Sequence, residues 1–224
     1  MRGAFCARSI AMQRKSRLDD PHAECHVLRM SDKHPPPPPA SETGRHSFTL
    51  RVPHGDSEAR HVCDTCGFIN YVNPKIVVGS VVRWSGAADG RERIVMCKRA
   101  IEPRTGFWTL PAGYMELGET AAEGAMREAR EEACATIRID ALLAVYSIPR
   151  ISQVQLMHLA TLVDPAIEPG PESLDVALVT WDEIPWNDLA FPSVRWALDH
   201  YDAVRQLDTF PPFTNPDGAT GDMR

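Results

Sequence analysis

Runs of aliphatic and β-branched residues recur through the middle of the chain and predict β-strands. Two such runs, KIVVGSVVRW and RIVMCKRA, are separated by the turn signal SGAADG, so they predict a β-hairpin. Three later runs predict further strands, at TIRIDALLAVYSIP, QVQLMHLATLVD and VALVTWDEIP. A loop is predicted at GFWTLPAGYMELGE, because Pro111, Gly113 and Gly118 interrupt that segment.

Two other segments have the character of helices. The first begins at Thr120, which forms a capping box with Glu123, and is predicted to extend to about residue 133. The second is AFPSVRWALDHYDAVRQL, in which apolar residues from Val194 to Tyr201 recur at helical spacing. Because strands and helices mix without strict βαβ alternation, the pattern predicts an α/β domain whose mixed sheet is covered by helices.

The two ends of the chain differ in composition from its middle. The proline run KHPPPPPASETG predicts a linker, so residues 1–44 are expected to be a disordered extension. Residues 45–74, with the segment HVCDTCGFINYVNP, predict a small knuckle that contains a short strand. The folded domain is predicted at residues 75–206, and residues 207–224, rich in Pro, Gly and Asp, predict a flexible tail.

Composition and charge narrow the classes of partner. The chain has 224 residues, 43% of them hydrophobic, which suffices for one ordinary domain with a core. Its net charge of -6 argues against a nucleic-acid partner, so an anionic substrate would need a local basic group or a metal ion. No apolar run reaches the ~18 residues of a membrane span, and no membrane partner is expected.

Cysteine usage indicates the compartment. The six cysteines are too dispersed for a disulfide framework, and they favour a reduced, cytoplasmic setting. The alternative is an organellar protein, because the first segment, MRGAFCARSIAMQRKSRL, is basic and has no acidic residue.

Three glutamates, Glu128, Glu131 and Glu132, crowd the first predicted helix. Four residues make little more than one helical turn, so Glu128 and Glu132 lie on one face with Glu131 beside them. One interpretation is a solvated face with an Arg127–Glu131 pair. The other is a site for a hard cation such as Mg²⁺, which prefers carboxylate oxygens and keeps waters and phosphates as its remaining ligands.

The whole segment GYMELGETAAEGAMREAREEACA resembles the Nudix box, G-x5-E-x7-R-E-U-x-E-E-x-G-U, in which U is an aliphatic or small apolar residue. The residues in register with this pattern are Gly113, Glu119, Arg127, Glu128, Ala129, Glu131, Glu132 and Ala135. Cys134 departs from it, since the box has Gly there. A Gly after a helix usually adopts a left-handed conformation, so Cys134 is expected either to accept that strain or to end the helix differently. The resemblance covers residues 75–206 and implies a Nudix α/β/α sandwich with a mixed β-sheet.

The resemblance also implies roles for these residues. Nudix enzymes hydrolyse a pyrophosphate linked to a nucleoside, and the carboxylates that match Glu128 and Glu132 hold Mg²⁺ or Mn²⁺. It implies that Glu131 lies beside them and that Arg127 orients a neighbouring carboxylate. The Gly113 carbonyl and Glu119 are expected as additional metal ligands or supports. The general base differs among family members, and the sequence offers Glu172 first and Glu168 second. An exposed loop carboxylate is the alternative for Glu172.

Several segments resemble the subgroup of FAD and ADP-ribose pyrophosphatases, among them NPKIVVG, PGPESL and DEIPWNDLAFPSV. The resemblance implies a small-molecule dinucleotide substrate that is cleaved to release AMP. Hydrolysis of another dinucleotide such as NADH, or nucleotide binding without catalysis, is the alternative, and a homodimer is a further expectation. Substrate recognition is expected from Phe107, Trp108 and Tyr146 by stacking and from Arg99 by phosphate contact, against core packing or solvated charge as the alternative.

The knuckle resembles the second half of a zinc ribbon, because Cys63 and Cys66 form a C-x-x-C unit. A structural Zn²⁺ site needs four ligands, and Ser41 and Gly44 stand where the first pair of cysteines would lie. The ribbon is therefore predicted to be degraded, which argues against zinc. Nearby substitutes are His46, His54 and His61.

Overall fold

We describe a computed structural model of the protein over residues 47–222, and the prediction for residues 1–44 lies outside this range. The strands are β1 (Phe48–Arg51), β2 (Arg60–Cys63), β3 (Ile69–Asn70), β4 (Lys75–Trp84), β5 (Arg93–Arg99), β6 (Trp108–Thr109), β7 (Ala112–Tyr114), β8 (Ile137–Ile148), β9 (Gln153–Leu162) and β10 (Ser173–Thr180). The helices are α1 (Ala121–Ala133) and α2 (Pro192–Val204), and short 3-10 helices lie at Pro149–Ile151 and Trp181–Glu183.

The main sheet has the strand order β10-β5-β4-β9-β8, with β6 beside β5 and β7 beside β4. Strands β4 and β9 run parallel and the other pairs run antiparallel, so the sheet is mixed, as predicted. Successive side chains of β4 point to opposite faces. Val82 packs in a cluster with Ala129 of α1, whereas Val81 packs in a cluster with Leu198 of α2. One helix therefore covers each face.

The predicted loop between β5 and α1 contains two short strands, β6 and β7. Strands β4 and β5 pair only at Arg83 with Ile94 and at Trp84 with Arg93, and then they diverge. In the space so opened, β7 pairs with Val77–Gly79 of β4 and β6 pairs with β5. Most of this segment is loop, as predicted, but the two short strands were missed, because prolines and glycines between short paired segments mask them in the sequence.

Helix α1 begins as its sequence predicts. The Thr120 hydroxyl accepts a hydrogen bond from the Glu123 N–H at 3.2 Å, and the Glu123 carboxylate accepts one from the Thr120 N–H at 2.8 Å. At the other end Cys134 adopts the left-handed conformation, with φ 50°, and its N–H donates to the Arg130 carbonyl at 3.0 Å. Cys134 therefore occupies the backbone conformation that the Nudix box assigns to Gly.

The knuckle is a three-stranded sheet in the order β1-β2-β3, in which Cys63 is buried and Cys66 is exposed. Within residues 47–222, no group of three or more His, Cys, Asp or Glu side chains is placed to hold a metal. Neither helix of the described chain has the length and hydropathy that a membrane crossing requires.

The C-terminal segment lies against the domain, in contrast to the flexible tail predicted from its composition. The Phe213 N–H donates to the Leu143 carbonyl at 2.9 Å, and the Val145 N–H donates to the Phe213 carbonyl at 2.9 Å. Phe210 and Phe213 also pack against the core beside α2. Two apolar rings and an edge strand with free hydrogen-bonding groups outweigh the local preference of Pro, Gly and Asp for irregular structure.

Candidate active site

The acidic face of α1 is buried rather than solvated. Glu128 and Glu132 have relative exposures of 8% and 6%, whereas the Glu131 side chain is 44% exposed. The Glu128 carboxylate lies so close to Gly113 of β7 that any Cβ at residue 113 would overlap it. The glycine of the box is therefore required for this approach, and the interpretation of the glutamates as a solvated face is wrong for Glu128 and Glu132.

Arg127 is the centre of the charged cluster. Its guanidinium forms a bidentate pair with Glu119, with Nε to Oε2 at 3.0 Å and Nη2 to Oε1 at 2.8 Å. Nη1 donates to Glu128 Oε1 at 2.7 Å and to Glu131 Oε2 at 2.9 Å, and Nη2 donates to the Tyr114 carbonyl at 3.0 Å. One arginine thus orients three carboxylates through charge-assisted hydrogen bonds.

Glu119 faces Arg127 from the loop that precedes α1. The Arg127 guanidinium holds the pKa of Glu119 below its usual value, and the N–H of Glu116, which donates to Oε1 at 2.7 Å, acts in the same direction. Glu119 is therefore an ionised support for Arg127 in this structure.

The pKa values of the two buried carboxylates, Glu128 and Glu132, are shifted in the opposite direction. Burial raises the pKa of Glu128, and the charges of Glu131 and Glu172 add to this effect against the opposing Arg127. Burial and the adjacent Glu128 raise the pKa of Glu132 to about 8, although the Ala112 N–H donates to its Oε2 at 3.3 Å. Buried carboxylates whose charge is only partly compensated form a site that a cation would stabilise.

The segment before β10 brings another carboxylate to this site. The Gly170 N–H donates to the Glu132 carbonyl and the Glu168 N–H to the Ala133 carbonyl, both at 3.0 Å. These bonds close the C-terminal end of α1. The charge of Glu172 then acts on both buried glutamates and raises the pKa of each. The structure therefore brings Glu172 to the carboxylate pair, while its role as general base stays a prediction.

Arg99 ends β5, and Phe107 lies in the loop that follows it. The Arg99 guanidinium lies 5.2 Å from the centre of the Phe191 ring, donates from Nε to the Pro103 carbonyl at 2.9 Å, and lowers the pKa of Glu132 by its charge. The Phe107 ring is covered by the Arg104 guanidinium at 4.9 Å. The charge of Arg99 therefore acts on Glu132, and the roles of both residues in substrate binding stay predictions.

The other two aromatic residues differ. Trp108 is half-buried and packs against the core beside α2, with Lys98 Nζ 5.8 Å from its ring centre. Tyr146 is fully buried, and its hydroxyl lies 2.7 Å from His200 Nδ1. The prediction that Tyr146 stacks on a substrate is therefore wrong, because its ring is part of the core.

Sequence reasoning missed two residues at the site. Phe191 lies beneath Arg99, and no local pattern connects the two. Cys97 of β5 is fully buried. Burial and the nearby Glu132 charge raise the pKa of this thiol well above its usual value. The signal for Cys97 was present, because it lies two residues before Arg99 in a strand and so shares a face with it.

Two family models match the chain. The model described as NUDIX domain matches residues 80–201, and the zinc-ribbon model described as Nudix N-terminal matches residues 45–72. The first of these covers more than half of the 224 residues. The resemblance that the acidic helix indicates is therefore confirmed, and so is the expected α/β sandwich with a preceding knuckle.

Individual proteins agree with these matches. The ADP-ribose pyrophosphatase of Methanocaldococcus jannaschii is 25% identical over 134 residues, which are 58% of this chain and 75% of that protein. A NUDIX hydrolase structure from Nitrosomonas europaea is similar at 42% identity and a TM-score of 0.69, over 78% of this chain and 97% of its own. The NUDIX domain of Shewanella oneidensis NrtR, complexed with ADP ribose, is 17% identical with a TM-score of 0.51, over 59% of this chain and 89% of its own. At that identity the last similarity shows a shared fold alone.

Proposed function

The chain belongs to the Nudix family of pyrophosphohydrolases, and from this premise we propose that it cleaves a nucleoside diphosphate derivative at its pyrophosphate and releases AMP. ADP-ribose is the first substrate to consider and FAD the second. The similarity to an ADP-ribose pyrophosphatase over most of that protein's length supports ADP-ribose. The segments NPKIVVG and PGPESL, which resemble those of FAD and ADP-ribose pyrophosphatases, support both.

The observation that carries the proposal is the pair of buried carboxylates, Glu128 and Glu132, beside Gly113. Carboxylate oxygens suit a hard divalent cation, and the burial that raises the pKa of both side chains favours a positively charged partner. Glu128 and Glu132 would therefore hold Mg²⁺ or Mn²⁺, with the Gly113 carbonyl as an additional ligand. When bound, such an ion neutralises charge on phosphate oxygens and activates water.

The remaining residues have distinct tasks in the reaction. Arg127 keeps Glu119, Glu128 and Glu131 in fixed orientations through its bonds of 2.7 to 3.0 Å. Glu172 accepts the proton of a water whose oxygen attacks phosphorus, and the bridging P–O bond breaks. Arg99 binds the phosphate that carries the departing oxygen. The products are AMP and ribose 5-phosphate from ADP-ribose, or AMP and FMN from FAD.

The test is to incubate the full chain with ADP-ribose, FAD or NADH in the presence of Mg²⁺ and to measure AMP by chromatography. We expect AMP from ADP-ribose or FAD, and a loss of at least about 100-fold in turnover for Glu132→Gln, since a lost metal ligand removes charge neutralisation in the transition state. The matched control is Glu123→Gln on the same helix, because Gln also supports a capping box.

Three results would contradict all or part of the proposal. Folded protein that releases no AMP from any of the three substrates would refute the substrate assignment. Binding of ADP-ribose without turnover would instead support a nucleotide-binding module. AMP from NADH alone would retain the reaction and correct the substrate.

A further inference from the structure

Strand β1 of the knuckle is an edge strand of its three-stranded sheet. We propose that this edge is a dimer interface, at which β1 of one copy of the chain pairs antiparallel with β1 of a second copy. The two knuckles would then form one continuous sheet of six strands. This pairing is independent of the substrate of the enzyme, because residues 48–52 lie outside the carboxylate cluster.

The backbone of β1 presents hydrogen-bonding groups on its outer side. The Asp64 N–H donates to the Ser47 carbonyl at 3.0 Å, which identifies these two residues as a hydrogen-bonded pair between β1 and β2. Because such pairs alternate along an antiparallel ladder, Phe48 and Leu50 direct their N–H and C=O groups away from β2. Within residues 47–222, these outward groups have no hydrogen-bond partner, so they remain available to another strand.

One face of this edge is apolar and exposed. Phe48, Leu50 and Val52 alternate with polar residues and therefore share a face, and their relative exposures are 45%, 61% and 58%. Phe68, which is 61% exposed, lies on the same face, since its carbonyl accepts from the Cys63 N–H at 2.8 Å and Cys63 pairs with Phe48. A contiguous apolar surface of this kind is typical of a protein–protein interface.

A second copy of the same edge complements it. If a two-fold axis passes through Leu50, the two β1 strands run antiparallel and each Leu50 lies opposite its counterpart. The same register places Phe48 of each copy opposite Val52 of the other, so apolar side chains meet apolar side chains along the whole strand. These are also the residues whose N–H and C=O groups point outward, and the backbone and side-chain requirements of pairing therefore agree.

The available area suits a reversible dimer. The four apolar side chains together expose roughly 500 Å² per copy, and each partner in an interface of standard size buries about 800 Å². The backbone edge and the neighbouring polar side chains supply part of the difference. Edge strands that stay unpaired usually carry a proline, a bulge or an inward-pointing charge, whereas β1 pairs with β2 without a bulge and its one charged residue, Arg51, lies on the other face. We therefore expect dissociation in the micromolar range, as for interfaces at the lower end of the size range.

The experiment measures the mass of the full chain by sedimentation velocity over a series of micromolar concentrations. Leu50→Lys places two like charges at the centre of the pairing. Its matched control is Leu207→Lys, since Leu207 is 55% exposed and lies beyond α2, away from the knuckle. A further sample mixes Leu50→Lys with Leu50→Glu, so that opposite charges meet where one Leu50 would face the other. Melting temperatures verify that each variant is folded.

We expect the wild type and Leu207→Lys to dimerise equally well, and Leu50→Lys to raise the dissociation constant at least about tenfold, because like charges directly opposite each other destabilise a strand pair. The mixture of Leu50→Lys and Leu50→Glu should dimerise more tightly than either variant alone. Amide hydrogen exchange of the wild type, followed by NMR, tests the pairing without a substitution. The Phe48 and Leu50 amides should gain protection as the concentration rises, whereas the Thr49 amide, which faces β2, should not change.

Three results would overturn this interface. The first is a wild type that stays monomeric at every concentration. The second is a dimer that Leu50→Lys does not weaken and in which the Phe48 and Leu50 amides gain no protection, since the contact would then lie elsewhere. The third is protection of these amides in a monomeric full chain, which would assign the edge to residues 1–46 of the same chain.

Discussion

Replacement of Glu132 by Gln should stabilise the metal-free protein at alkaline pH while it removes function. Glu132 is 6% exposed, and its pKa is raised from the usual 4.5 to about 8 by burial and by Glu128. A carboxyl whose folded-state pKa is raised contributes stability that is complete below its unfolded-state pKa and is lost as the pH rises through the folded-state value. For Glu132 this loss therefore occurs between about pH 4.5 and about pH 8.

The size of the effect follows from the shift. One pKa unit corresponds to about 1.4 kcal/mol, so a shift from 4.5 to about 8 corresponds to at most about 5 kcal/mol. Glu128 and Glu132 titrate as a coupled pair, and part of that energy belongs to their mutual repulsion. We therefore expect Glu132→Gln to be more stable than wild type by about 2 to 4 kcal/mol near pH 8, and by less than about 1 kcal/mol near pH 5.

The assay is urea unfolding of wild type and Glu132→Gln across this pH range, first with a chelator and then with Mg²⁺. Added Mg²⁺ should stabilise the wild type by mass action and narrow or reverse the difference, because Gln is a poor ligand. Glu131→Gln is the matched control, since it makes the same change of charge at a side chain that is 44% exposed. Its stability should follow the wild-type dependence on pH.

Parallel curves for wild type and Glu132→Gln with the chelator would refute the reasoning. They would mean that the Glu132 charge is already compensated in the metal-free fold, so that burial of this carboxylate imposes no cost that a cation relieves.

Three further predictions concern the base, the helix end and the C-terminal segment. Glu172→Gln should lower kcat by about 100-fold with unchanged Mn²⁺ affinity, which is the scale of a lost general base. The control Glu168→Gln, which keeps its backbone bond to α1, should stay near wild type in the same AMP assay. If instead Glu168→Gln lost activity and Glu172→Gln did not, the base would be Glu168. Cys134→Gly should exceed Cys134→Ala by about 1 kcal/mol in unfolding free energy, because both variants lack the Cys134 sulfur and only Gly accepts φ 50° without strain. Equal stability of the two variants by urea unfolding would refute this. Phe213→Ala should lower the unfolding free energy by about 2 kcal/mol without altering kcat, since Phe213 packs beside α2 on the face opposite α1. Substitution of the exposed Leu207 by Ala is its control. A large change in kcat for Phe213→Ala would show coupling between the two faces of the sheet.

The local sequence was sufficient to predict much of the fold of this protein. The capping box at Thr120 and the spacing of Glu128 and Glu132 depend only on residues within a turn or two of each other, so helix geometry was sufficient to predict the start of α1 and its acidic face. The long strands β4, β5, β8 and β9 were predicted for the same reason, since each is an apolar run longer than the turns that flank it. The positions of the box glycines and glutamates then indicated the family without any tertiary contact.

Only the tertiary structure decided what that acidic face does. Burial of Glu128 and Glu132 depends on β7, whose pairing with β4 was hidden by Pro111 and Gly113. Tyr146 was assigned to a substrate because an aromatic residue in a strand has the same pattern whether it faces a ligand or the core.

The approach of Glu172 and Cys97 to Glu132 depends on strands that are neighbours in the sheet but distant in sequence. The hydrophobic periodicity of a helix or strand indicates on which of its faces a residue lies. The partner on that face is set by the packing of remote segments, and it is this packing that sets the burial and the charge balance on which the candidate site depends.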